Sequence, residues 1–392
     1  MAHQRDFDVI VYGATGYTGR LVAEYLARQY GQGGKVRWAM AARSAEKLAA
    51  VRDEIGAPPD TPLITADSED ADSLAAMAAR AACVATTVGP YQLYGEPLLA
   101  ACAAAGTDYV DLCGEPAWMH QMIAKYQDTA RDSGARLVFS CGFDSIPFDL
   151  GVWFLEQEAQ ARFGRPATRV KGRVRAMQGK FSGGTAYSMR ATMASVAKDP
   201  SLIGLLVNPF SLANGFEGPP QPSGDAPVED TDIGSWSAPF IMATINTKNI
   251  HRSNALLGHA YGEAFVYDEM MLTGPGEAGK AMAEALTGVD MMGGEDAPQP
   301  GEGPTLEERE TGYYDVLFHG TTAQGEVIRV GVKGDKDPGY GSTSKMLAEA
   351  ALTLAQDGLE TPGGVWTPAP AMGGALLTRL QAHAGLSFEV ES

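Results

Sequence analysis

Cysteine is scarce in this chain. Its 392 residues hold four, Cys83, Cys102, Cys113 and Cys141, none in C-x-x-C spacing. A small disulfide scaffold is excluded, and a reducing, cytoplasmic setting is expected. Positive charge is short as well: 30 Lys and Arg against 48 Asp and Glu leave a formal charge of −18. That balance argues against a nucleic-acid partner, whose phosphates need clustered cations. It does not bear on small anions, which respond to local charge. No uninterrupted apolar run reaches the ~18–20 residues of a spanning helix, and the polar start through Phe7 lacks the apolar core of a secretory signal. The expected protein is soluble or, at most, sits on a membrane surface. None of the six histidines lies in H-E-x-x-H and no Cys/His spacing suggests zinc, so no metal is expected. None of the fourteen tyrosines has Lys four positions later, which removes the Tyr-x-x-x-Lys proton relay of short-chain dehydrogenases. Neither G-x-S-x-G nor G-x-x-x-x-G-K-[ST] occurs, which argues against a hydrolase elbow and a phosphoryl-donor loop.

What is present begins with alternation. Residues 7–13, 36–43, 62–67, 82–89, 107–112 and 135–142 read as strands; 17–30, 44–55, 70–81, 95–105 and 116–133 read as helices. Apolar strands alternating with amphipathic helices predict a parallel sheet covered on both faces, wound right-handedly. Beyond about residue 150 the texture changes, and 169–179, 239–252, 263–272, 312–320 and 325–334 read as strands, the last two as a hairpin. The expected fold is α/β: an N-terminal Rossmann-type doubly wound parallel sheet over 1–147, then a second α+β domain on a mixed or antiparallel sheet over 148–342. Residues 343–392 are expected as a helical segment docking back on the first domain. The Gly/Pro/acidic stretches 214–234 and 287–308 are expected as long loops.

The first strand runs into Gly13-Ala14-Thr15-Gly16-Tyr17-Thr18-Gly19, which opens the first helix. Gly13 makes the tight turn, Gly16 lets backbone approach a phosphate, and Gly19 permits close helix–strand packing. The free N–H groups of the helix start face the anion. Strand, loop and helix together make this a dinucleotide fingerprint rather than a stray glycine pattern. At the end of the second strand an NAD site carries Asp or Glu. Here stand Arg43, Ser44 and then Lys47, which suit a 2′-phosphate. The expected cofactor is NADP(H).

Four blocks, "GATGYTG", "AARSAEKL", "TTVGPYQLYGEPLLAACAAAGTDYVDLCGE" and "CGFDSIPFDLG", together resemble the saccharopine dehydrogenase-like oxidoreductases. "FSGGTAYS", "PFIMATINTKNIHRSNAL" and "GGVWTPAPAMGGALLTRL" resemble the trans-acting enoyl reductase subfamily over nearly the whole chain. The resemblance implies NADPH as hydride donor, a second domain whose sheet mediates homodimerisation, reduction of an enoyl intermediate, free or carrier-bound, in glycolipid assembly, and in part a peripheral place at the cytoplasmic face of the plasma membrane. The alternatives are a saccharopine-type imine reductase acting on an amino acid and a catalytically silent nucleotide-binding scaffold.

Several residues are then candidates for the chemistry. Val88, Gly89 and Pro90 follow the fourth strand, where they can shape a loop under the nicotinamide, and Tyr91 is a candidate proton donor or a packed core tyrosine. Asp144 and Ser145 join the two domains and are candidate catalytic and substrate contacts, with an N-cap role open to Asp144. Asp111 and Glu115 are either an acid–base pair or solvated loop acids. Gly184 and Thr185 are expected near the substrate. Lys248, beside His251 and Arg252, is expected to bind a carrier phosphate or carboxylate, or else to lie on an exposed strand or helix start. The run 201–216, rich in Leu and Phe, is either an apolar lid, a membrane-touching loop, or a core helix with a loop.

Overall fold

A computed structural model describes residues 5–31, 34–180, 183–287 and 302–391, without the side chains of 183–186. The first sheet has seven parallel strands in the order β13-β6-β5-β4-β1-β2-β3. These are β1 (Phe7–Tyr12), β2 (Trp38–Ala42), β3 (Leu63–Thr65), β4 (Ala81–Thr86), β5 (Asp108–Val110), β6 (Arg136–Val138) and β13 (Gly364–Trp366). All six residues of β1 are buried, as expected of a central strand covered on both faces. Alternate residues serve opposite faces. Val9 and Val11 join one apolar cluster with Trp38, Met40 and Cys83; Ile10 and Tyr12 join another with Ala39, Ala41 and Val84.

Helices α1 (Tyr17–Tyr30), α2 (Ala45–Glu54), α3 (Ala71–Ala78), α4 (Tyr91–Tyr94), α5 (Glu96–Ala105) and α6 (Pro116–Ser133) alternate with the strands. The second sheet also has seven strands, ordered β14-β12-β11-β7-β10-β9-β8, mostly antiparallel with β10 parallel to β7. They are β7 (Arg169–Gln178), β8 (Val228–Asp230), β9 (Ser235–Pro239), β10 (Val266–Gly274), β11 (Tyr313–Thr321), β12 (Val327–Gly334) and β14 (Leu386–Glu391). β11 and β12 pair antiparallel as a hairpin. The remaining helices are α7 (Ile146–Phe163), α8 (Gly183–Lys198), α9 (Leu202–Val207), α10 (Ala243–Leu256), α11 (Gly276–Thr287), α12 (Leu306–Thr311), α13 (Thr343–Gln356) and α14 (Pro368–Arg379).

Three readings of the sequence are overturned, among them the loop 214–234, which contains β8. Residues 239–252, taken as a strand, are the end of β9 and most of helix α10. The β-branched Thr244, Ile245, Thr247 and Ile250 favour strand locally, but nine of the fourteen helix residues are buried, and tertiary burial decides. The C-terminal stretch 343–391 supplies two strands besides α13 and α14, where the sequence reading had helix alone. β13 pairs with β6 at the edge of the first sheet, and β14 with β12 at the edge of the second. Met346, Leu347 and Leu354 of α13 share one core with Val9 and Cys83 of the first sheet and Val316, Phe318 and Val330 of the second. Most of the expected loop 287–308 falls at residues 288–301, outside the described residues.

Candidate active site

The glycine-rich turn is built as the sequence demands. Gly13 has φ of 90°, in the left-handed region that favours glycine. A β-carbon on Gly13 would stand 2.8 Å from Thr87 Oγ1 and Val88 Cγ2; one on Gly19 would stand 2.2 Å from the Gly13 carbonyl oxygen. The amides of Gly13 and Ala14 donate to the Ala41 carbonyl, and Gly16 donates back to Gly13, so the turn is fixed before any ligand arrives. Thr15 and Thr18 are half-buried in it. α1 starts with Gly16 at its N-cap, no side-chain cap and no acidic residue in its first turn. Its leading N–H groups and its dipole are left for an anion. Tyr17 gives the turn its backbone but sends its side chain elsewhere. The hydroxyl donates to Pro304 O and accepts from Arg309 at 2.9 Å, and the ring meets Tyr340 edge-on at 5.2 Å.

Arg43 follows β2 directly and is exposed, with no hydrogen bond or ion pair to another described residue. Ser44 caps α2, its Oγ accepting the Lys47 amide at 3.2 Å, while the Lys47 residue is exposed. Ala41 and Ala42 stand where an NAD site would carry its carboxylate. A pinched glycine cradle, a bare helix start and an uncommitted guanidinium fit a dinucleotide with a 2′-phosphate.

The loops after β4, β5 and β6 are braced by carboxylates. The Glu115 carboxylate accepts the amides of Tyr91 (3.0 Å) and Gln92 (2.8 Å), tying the Val88-Gly89-Pro90 turn to the start of α6. Asp111 is fully buried and accepts from Cys113 N, Ser140 N and the Tyr109 hydroxyl. Burial pushes its carboxyl up to about 7. Asp111 and Glu115 are therefore struts, not solvated acids. Tyr91 is also a strut. Its hydroxyl accepts from Leu112 N at 3.0 Å and donates to Thr86 O, its ring lies beside Trp118, and burial holds its phenol far above the ordinary range.

Asp144 is different. Its Oδ1 is buried without a hydrogen-bond partner among the described residues, and burial alone raises its carboxyl to about 7. It caps no helix: the N-cap of α7 is Ser145, which makes no side-chain cap. The Ser145 Oγ accepts from Asn249 Nδ2 at 2.8 Å, leaving its own hydrogen to give. Nearby on β10, Glu269 is buried, accepts from Asn246 Nδ2 (2.7 Å) and the Tyr267 hydroxyl (2.9 Å), is pushed up to about 8 by burial, and feels the Asp144 charge. The Oδ1 atoms of Asn246 and Asn249 are likewise buried without partners among the described residues.

Lys248, His251 and Arg252, read as an exposed strand or a helix start, are buried on α10. Arg252 gives its Nη1 to the Leu212 carbonyl and Asn214 and its Nη2 to the Val365 carbonyl, while its Nε is buried without a partner among the described residues. Lys248 Nζ donates to the Thr244 carbonyl one turn back, and burial lowers it to about 8. At 100° per residue it faces away from Asn246, towards His251, which packs on Phe210 at 4.5 Å. Gly184 and Thr185 lie in the first turn of α8; the Thr185 side chain lies outside the described residues.

With this geometry in place, the chain can be set beside known proteins. The saccharopine dehydrogenase NADP-binding domain model matches residues 9–138. A candidate trans-acting enoyl reductase of Mycobacterium tuberculosis is 43% identical, over 99% of this chain and 98% of its own. The chain belongs to the trans-acting enoyl reductases of the saccharopine dehydrogenase-like family. A trans-acting enoyl reductase of Mycobacterium bovis is 38% identical over 96% of both chains. Saccharopine dehydrogenase (L-Glu forming) from Saccharomyces cerevisiae shares the fold at TM-score 0.55 and 12% identity, covering 98% of this chain and 99% of its own. Homospermidine synthase from Legionella pneumophila does so at 0.52 and 10%, covering 99% and 91%.

Family membership makes NADP(H) the cofactor of the first domain and places the chain among NADP-dependent oxidoreductases. It leaves the roles of single residues to the geometry. Glu269, Asn246 and Asn249 were not legible as site residues. An acid inside the apolar strand "FVYDEMML" was the available signal for Glu269. The asparagines stand three apart, a spacing that carries meaning only once α10 is a helix.

Proposed function

We propose that this protein reduces the carbon–carbon double bond of an enoyl acyl intermediate, with Asp144 as the proton source. When bound, NADPH supplies the hydride for the β-carbon. The residues would do the rest. Gly13 to Gly19 and the start of α1 would hold the pyrophosphate, Arg43 and Ser44 the 2′-phosphate, and Val88, Gly89 and Pro90 would line the reactive end at the carboxyl edge of the sheet. Asp144, protonated near neutral pH, would give its proton to the α-carbon. The free hydroxyl hydrogen of Ser145, oriented by Asn249, would meet charge developing on the thioester oxygen. Tyr91, whose hydroxyl is committed on both sides, is left to shape the turn.

The observation carrying this reading is the unpartnered Asp144 Oδ1 at the junction of cofactor domain and second domain. An imine reductase for amino acids would need free cations for substrate carboxylates, and both Nη groups of Arg252 are already given to carbonyls. The test is NADPH oxidation by the purified chain with an enoyl thioester, and separately with an α-keto acid plus amine. Turnover is expected with the thioester alone, and Asp144→Asn is expected to lose about 10²–10⁴-fold in kcat, the range of a general acid. Turnover with the keto acid and amine only would overturn the reading. Homodimerisation through the second sheet and contact of the protein with a membrane surface belong to the same proposal; sedimentation velocity tests the first.

A further inference from the structure

We infer that the pocket between α4, α6, α8 and α9 takes the acyl chain of the substrate, which runs on from it across α9. The inference rests on the enoyl reading above and adds where the chain lies. The pocket has a volume of about 170 Å³ and is lined by Gln92, Glu115 and Trp118 on one side and by Val196, Leu202 and Leu206 on the other. Apart from the exposed Gln121, its polar side chains are engaged within the protein. Glu115 holds the Tyr91 and Gln92 amides, and the Gln92 side chain is bridged to Thr192 and Ser195. No free charge is therefore presented to a ligand by these groups, which suits a hydrocarbon.

Size and position select the occupant. A volume of 170 Å³ is below the ~300–1,000 Å³ that engulfs a whole ligand, so the pocket takes part of a longer molecule. Its lining residue Gln92 adjoins Tyr91 at the start of α4, which follows the turn after β4 at the sheet edge where the reactive end of the cofactor belongs. The helix α9, Leu202–Val207, carries no charge and no fully buried residue. Ile203 is 47% and Val207 73% exposed, and Met193 on α8 is 60% exposed. Apolar surface left in water beside a pocket marks a binding face. A chain leaving the pocket would cover it. An anionic bilayer is the poorer occupant, because it repels a protein of charge −18.

The experiment compares crotonyl-CoA with hexadecenoyl-CoA as substrates of the full chain and of Leu206→Trp, which fills the pocket from a half-buried position. Loss of about two buried methylene contacts predicts about a tenfold fall in kcat/KM for hexadecenoyl-CoA, with crotonyl-CoA changed by less than about twofold. Ile203→Asp, on the rim, should act in the same direction. Calorimetry with palmitoyl-CoA against CoA alone supplies a readout independent of turnover. If no enoyl thioester is reduced but palmitoyl-CoA binds the wild type and not Leu206→Trp, the enoyl reading fails and the pocket stands. Equal losses for both substrates, or palmitoyl-CoA binding untouched by Leu206→Trp, would overturn the pocket. So would loss of cosedimentation with phosphatidylglycerol vesicles in Ile203→Asp at unchanged chain-length selectivity, which would give this face to a membrane.

Discussion

Lys248 offers the sharpest physical test. Its side chain is 3% exposed, donates to one backbone carbonyl, and is pushed down from 10.5 to about 8 by burial. The ammonium therefore costs the folded state about 3 kcal/mol wherever both states are protonated, at 1.36 kcal/mol per pKa unit. The sign follows from proton counts. Between pH 8 and 10.5 the folded lysine has lost its proton while the unfolded chain keeps it; the unfolded state binds more protons, and stability rises with pH through that window. Lys248→Met removes both the cost and the dependence. At about 2.1 cal/mol/K of unfolding entropy per residue, 3 kcal/mol in a chain of 392 residues is a rise in Tm of about 4 °C at pH 7. Scanning calorimetry from pH 7 to 9.5 should show the wild-type curve closing on the variant above pH 8. Asp144 and Glu269, raised to about 7 and 8, work the other way below that range and are common to both proteins. Parallel curves over the whole range would refute the reasoning and mean that Lys248 has an anionic partner or solvent access.

Arg43→Ala should weaken NADPH binding about ten- to a hundredfold, the range for losing charged hydrogen bonds of about 1.5–3 kcal/mol, and leave NADH unchanged; titration followed by nicotinamide fluorescence reads both, and equal effects on the two would remove the 2′-phosphate assignment. Gly19→Ala puts a β-carbon 2.2 Å from the Gly13 carbonyl oxygen, so dinucleotide binding should be lost in equilibrium dialysis, and normal affinity would show that the turn gives way cheaply. Tyr91→Phe leaves the Leu112 amide without its acceptor and should cost about 1–3 kcal/mol in urea unfolding with turnover largely kept; a large fall in kcat at unchanged stability would return Tyr91 to the chemistry.

Much of this was legible before any coordinates. The cofactor half was open to reading because each constraint there is local: Gly13, Gly19 and the alternation of strand and helix speak within a few residues. The substrate half was not, because its decisive facts are long-range. Helix α10 hides its period, being buried on opposite sides by polar residues whose partners lie on α7, β10 and the 208–214 segment, so Ile245 and Ile250 read as strand. Glu115 looked like a loop acid because nothing in the sequence says that its carboxylate returns to the amides of Tyr91 and Gln92. β13, three residues at a sheet edge, is too short to stand out. β14 carries a clear alternation in Leu386, Phe388 and Val390, a signal that was available.

The placement of β13 and α13 has a consequence for synthesis. The dinucleotide-binding sheet is begun at residues 7–12, yet its edge at β6 is closed, and the cover of one of its faces completed, only by residues 343–366. A nascent chain halted after β6 would carry a bare strand edge and an uncovered apolar face, a hazard for sticking to its neighbours. Cofactor capture must then wait until residues 343–366 have been made, and a chain cut before them that holds every glycine of the nucleotide turn should still be insoluble.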